Sequence, residues 1–76
     1  MPALYKIERF GERLRQLRKD KELTQGMLAE RAGISVQMVS QLERGINQPT
    51  LGTAALLACA LDVSLVKFLE DAEPLE

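Results

Sequence analysis

The sequence contains no histidine, no tryptophan and a single cysteine in its 76 residues. An intrachain disulfide framework needs at least two cysteines and is therefore excluded. A structural zinc site draws about four ligands from Cys and His, and only one candidate residue exists. Hydrolases built on a histidine base are excluded on the same ground. Aromatic residues make up 4% of the chain, and no alternating apolar–polar run appears, so strand signals are weak. Long apolar runs are missing as well. The longest uncharged stretch ends at Asp62 and contains Asn47, Gln48 and Pro49, short of the ~20 continuous apolar residues of a membrane span. No basic start leads into an apolar segment, so no secretory signal is expected. The expected location is the cytoplasm, with no membrane partner. There is no Gly-rich phosphate loop and no carboxylate constellation. The chain is therefore expected not to be an enzyme, with no cofactor, no metal and no small-molecule ligand.

What is present is charge, unevenly placed. Ten Lys and Arg against eleven Asp and Glu give a net charge of −1. Residues 1–69 hold all ten bases and only seven of the acids, and residues 70–76 hold the other four. Seven bases lie between Lys6 and Lys21. Such a cluster is either a solvated helix face or a surface that meets phosphates. The sequence pI of about 5.4 argues against indiscriminate polyanion binding, so any nucleic-acid contact must be local. Residues 70–76, acidic and aperiodic with Pro74, are expected to be a frayed tail.

Helical spacing dominates the rest. Leu4, Ile7, Phe10, Leu14 and Leu17 form one apolar stripe, opposed by a charged face, and predict a first helix. Thr24 is a good N-cap for a second helix with Leu28, Ala29 and Ala32 inward, ended by Gly33. Ser35 opens a third, with Val39 and Leu42 inward, ended at Gly45. Thr50 opens a fourth, with Leu51, Ala54, Leu57, Ala58 and Leu61 inward and Asp62 at its stop. Ser64 opens a short fifth with Leu65, Phe68 and Leu69 inward. The fold class expected is all-α, five short helices in a single domain over residues 1–76.

The second and third helices carry the information. A short helix, a tight turn containing Gly and another short helix make the helix-turn-helix pattern. Ala29 must be small where the helices cross, and Gly33 takes a turn geometry that a Cβ penalises. Any helical hairpin needs such residues. The exposed face of the third helix is more informative: it carries Val36, Gln37, Ser40 and Gln41, where an ordinary solvated face favours Lys and Glu. Gln donates and accepts at once, which suits the N6/N7 edge of adenine, and Val36 offers a surface for a thymine methyl.

The run LTQGMLAERAGISVQMVSQLERG, then QPT and a stretch ending ALDVSLVKFLE, resembles the Cro/repressor (XRE-type) helix-turn-helix family over about residues 8–69. The resemblance implies a compact five-helix bundle of the lambda-repressor-like type whose members bind double-stranded operator DNA as dimers. A chain of this length is similar to restriction–modification controller proteins and small phage repressors. By position, the resemblance makes Val36, Gln37 and Gln41 base readers and Ser40 a reader or phosphate contact. It puts Thr24, Gln25, Ser35, Arg44 and Asn47 against the DNA backbone, with Gln25 braced on Gln37. It also pairs Arg18 with Glu43 in an ion pair that ties the first helix to the third. The sequence departs from the family where Glu22 replaces a common Gly and where Ile46, Asn47 and Gln48 replace common basic residues. Fewer phosphate-binding charges in that loop predict a shallower salt dependence. Gly26 and Gly52 are weak spots in their helices.

One recognition helix covers about 4–5 base pairs, so a unique site needs two copies on half-sites about 34 Å apart. Leu56, Cys59 and Val66 point partly outward in the predicted register and are the candidate homodimer interface. The alternative reading is a protein-interaction module, such as an antitoxin-like partner, that uses the same apolar face. Tyr5, in the extension before the family core, is expected to pack on its own helix.

Overall fold

The structure is a computed structural model and describes residues 4–7, 9–69 and 72–75. Five helices build it: α1 (Phe10–Asp20), α2 (Gln25–Ala32), α3 (Val36–Glu43), α4 (Leu51–Ala60) and α5 (Leu65–Leu69). The fold class is all-α, with two four-residue strands, β1 (Leu4–Ile7) and β2 (Ala72–Leu75), pairing near the two ends of the chain.

Local chemistry sets the helix starts. The hydroxyls of Thr24, Ser35 and Thr50 accept from the backbone N–H of Met27, Met38 and Thr53 at 3.0, 3.0 and 3.1 Å. Each satisfies one of the orphan donors of a first turn. The helix ends follow a single rule. Glu22, Gly33, Gly45 and Asp62 all take left-handed φ values, from 56° to 76°. The next residue then returns its N–H to the carbonyl five positions back: Leu23 to Arg18, Ile34 to Ala29, Ile46 to Gln41 and Val63 to Ala58, at 2.9–3.1 Å. This is the Schellman closure, and an apolar residue normally packs behind it. Leu23 is buried and Ile34 and Val63 lie against the core, whereas Ile46 is 60% exposed. Asp62 and the turn at Glu22 therefore keep the left-handed geometry without glycine.

The core is formed by the inward faces of all five helices, with Leu14, Leu28, Val39, Leu42, Leu57 and Phe68 at its centre. Each such side chain contributes about 1.5–3 kcal/mol by leaving water. Phe10 and Phe68 meet at 5.0 Å between ring centroids, and Arg13 Nη1 donates to the Lys67 carbonyl at 2.7 Å. These contacts fasten α5 to the start of α1.

Three expectations are corrected. The first helix does not begin at Leu4: Arg9 turns left-handed at φ 56°, α1 starts at Phe10, and residues 4–7 run extended against 72–75. A stripe stepping by three could not show this, because the partner strand lies at the far end of the chain. Ala72–Leu75 is accordingly a strand, with Leu4 opposite Leu75 and Ile7 opposite Ala72, and not a frayed end. Leu51, expected inward, is 65% exposed because the first turn of α4 projects beyond the core. Pro2 and the side chains of Tyr5 and Leu69 lie outside the described residues. No helix among the described residues is long and apolar enough to cross a membrane.

Candidate nucleic-acid interface

α2 and α3 pack together, with Ala29 of α2 buried at 4% exposure, and are joined by the Gly33 turn at φ 73°. Val39 and Leu42 face inward. The opposite side of α3 presents Val36 and Gln37, both exposed, and Ser40 and Gln41, half-buried. Thr24, Ser35, Arg44 and Asn47 are exposed around it, at the starts of α2 and α3 and in the segment that follows α3. The candidate readers thus share one face, with the candidate backbone contacts around it. The Thr24 and Ser35 hydroxyls use oxygen lone pairs for capping. Each keeps its O–H to donate, for example to a phosphate oxygen.

A clamp at the end of α3 fixes this face. Glu43 receives Arg18 Nε at 2.6 Å and Nη2 at 3.0 Å, a bidentate pair whose side chains are 12% and 3% exposed. Arg18 Nη1 donates to the Leu23 carbonyl at 2.7 Å. The hydrogen bond to Glu43, ahead of its charge, raises the Arg18 guanidinium above its ordinary pKa against the opposing effect of burial. Because the folded value is raised, the arginine's own titration leaves its contribution in place below the unfolded value and removes it only as pH rises through the folded one, well into the alkaline range. An acid at a helix C-terminus opposes the helix dipole, and the arginine offsets this.

Gln25 departs from expectation. Its Nε2 donates to Glu43 Oε1 at 3.1 Å, and so it is braced on the clamp and not on Gln37. The carboxylate already fixed by Arg18 is the stronger acceptor. One acidic side chain therefore gathers α1, the start of α2 and the end of α3.

Sequence reasoning missed Gly11. A Cβ there would sit 2.5 Å from the Leu42 carbonyl oxygen and 2.6 Å from that of Glu43. The first turn of α1 thus touches the last turn of α3 backbone to backbone, with the positive end of one helix dipole against the negative end of the other. The available signal was a glycine in the first turn of an otherwise good helix, which costs about 1 kcal/mol unless a close approach requires it.

On α4 and α5, Leu56 is 48% and Val66 64% exposed, and Cys59 is a free, exposed thiol. Among the described residues no cluster of three or more His, Cys, Asp or Glu could hold a metal ion.

Residues 14–68 match the model of the helix-turn-helix family (HTH_3). The chain belongs to this family, whose type is XRE. It is 44% identical over 59 residues to the HTH-type transcriptional regulator y4dJ of Sinorhizobium fredii, a match covering 78% of this chain and 77% of that one. It spans less of other curated relatives, 32% of the regulator y4dL of the same organism at 37% identity and 48% of DdrOP3 of Deinococcus deserti at 40%. Among solved structures it resembles the restriction-modification controller protein C.AhdI from Aeromonas hydrophila, with TM-score 0.78 and 37% identity over 82% of this chain and 94% of that one. The Bacillus subtilis biofilm regulator SinR, solved in complex with DNA, matches with TM-score 0.76 and 33% identity over 79% of this chain and 97% of that one.

Proposed function

We propose that this chain is a sequence-specific DNA-binding transcriptional regulator that acts as a homodimer on a (pseudo)palindromic operator and controls its own gene. The observation that carries the reading is the neutral, amide-rich face of α3 held in one register by the Arg18–Glu43–Gln25 clamp. Val36, Gln37, Ser40 and Gln41 meet base edges in the major groove. Thr24, Gln25, Ser35, Arg44 and Asn47 meet the phosphates. Leu56, Cys59 and Val66 form the isologous contact that sets the half-site spacing. Relatives that include a restriction-modification controller and a regulator solved on DNA support it. With no ligand site in the proposal, the control variable is the concentration of the protein itself.

The test is a titration of the duplex upstream of the protein's own gene against a scrambled duplex, at two salt concentrations, with the Gln37→Ala/Gln41→Ala variant alongside. Preference for the native duplex by about 10³-fold or more is expected, and its loss in the variant. Sequence-blind, strongly salt-dependent binding contradicts the reading. A second reading, a protein-interaction module, has the exposed Leu56 and Val66 in its favour, as well as the similarity to SinR, which has been solved in a complex with the SinI protein. A heteromeric complex without sequence preference for DNA would establish it.

A further inference from the structure

Three of the four helix closures bring an apolar residue back to the core; the closure of α3 does not. Ile46 stays exposed, although its N–H returns to the Gln41 carbonyl at 3.0 Å like the others. What this turn brings home is the next residue. Asn47 Nδ2 donates to Gln41 Oε1 at 2.8 Å. Gln41 is therefore held twice by the same loop, once through its backbone and once through its side chain, and it stands on the face that carries the candidate readers.

The bond changes what Gln41 can offer. A free glutamine amide has two N–H donors and two acceptor lone pairs and spins between two faces. With Oε1 accepting from Asn47, one lone pair is used and the oxygen is turned to the loop. The remaining capacity is two donors against one lone pair, and turning the amide over would break the bond. An adenine edge asks a glutamine to accept from N6 and donate to N7, whereas guanine presents two acceptors, N7 and O6. We propose that Asn47 is a specificity-determining positioning residue, which locks the Gln41 amide as a donor and sets its preference for guanine over adenine. This rests on the reading that α3 enters the major groove.

The experiment selects binding duplexes from a randomised pool with the full chain. It then titrates the selected duplex and all its single-base variants with the wild type, Gln41→Ala, Asn47→Ala and Asn47→Asp. Gln41→Ala marks the position that Gln41 reads. At that position the wild type should favour guanine by about fivefold or more, the scale of one net hydrogen bond or better. Asn47→Ala should erase the preference there and leave the base preferences at the other positions as they were, on top of a uniform loss from the missing phosphate contact. Asn47→Asp can only accept, so Gln41 must turn its Nε2 to the loop and expose Oε1. The preference should then move toward bases that present a donor, on top of a uniform loss from the added charge. If Asn47→Ala instead weakens every duplex by one factor and leaves the Gln41 position as selective as before, Asn47 is a phosphate contact alone and the proposal fails. An adenine preference of the wild type at that position overturns it too. A selection that yields no sequence preference with the wild type overturns the DNA-reading function itself, a different result from either.

Discussion

Two regions of this small bundle are finished in opposite ways. Where α1 meets α3, the backbones touch at Gly11, Arg18 grips Glu43 with two hydrogen bonds, and Gln25 joins the same carboxylate. Among the described residues no buried side-chain nitrogen or oxygen is left without a hydrogen bond. On the α4–α5 side, Leu56 and Val66 stand in solvent and Cys59 is a free, exposed thiol. A seam that is satisfied within one chain serves geometry: it holds the α3 face at one angle. An apolar surface left open serves association, because its free energy is gained only when a partner covers it. On the proposed function, the first region sets what is read and the second sets how many copies read it.

The sharpest way to break the first region is Gly11→Ala. The new methyl meets two backbone carbonyls that cannot swing aside, so α1 and α3 must separate. A loss of about 3 kcal/mol is expected in urea unfolding, and an unchanged midpoint would show that the seam is loose. The matching change in the second region is Leu56→Lys. It lies outside the core, and the intrinsic stability of the single chain should change by no more than about 0.5 kcal/mol, apart from the concentration-dependent part that dimerisation adds. The protein should sediment as a monomer, and operator affinity should fall on the order of 10²-fold as the avidity of two linked half-sites is lost. The smallest effect is a local one outside both regions. Glu22 holds φ 57° with a Cβ that this geometry disfavours. Glu22→Gly should raise stability by about 0.5 kcal/mol, the relieved strain being partly offset by a more flexible unfolded chain, seen as a higher thermal midpoint with DNA binding unchanged.

The sequence is legible where the chemistry is local. Thr24, Ser35 and Thr50 cap the helices whose starts they mark in the sequence, and Gly33 and Asp62 sit in left-handed stops, because each of these depends on its neighbours in the chain. It is illegible where a residue answers to something distant. Gly11 is small because α3 passes it; a glycine in a good helix hints at a close approach, but nothing within α1 names the neighbour. Leu4 and Ile7 fit a helical step of three as well as a strand, and only the pairing with Ala72–Leu75 decides. Gln25 has two plausible braces, and the choice of Glu43 follows from where Arg18 puts that carboxylate. The likeness to a family supplies the Arg18–Glu43 pairing, which spacing alone does not give. The bond from Asn47 to Gln41 comes from neither source, since pattern and family alike point both residues at DNA and not at each other.

The central claim is that α3, in the register fixed by the clamp, is the surface that meets DNA. An amide chemical-shift titration of the isotope-labelled chain with a duplex that it binds specifically tests this directly. The largest shifts are expected at Thr24 and Gln25, along Val36 to Gln41, and at Arg44 to Asn47, with Leu56 to Val66 unmoved once the dimer is formed. Shifts confined to Leu56 to Val66, with α3 silent, would contradict the claim.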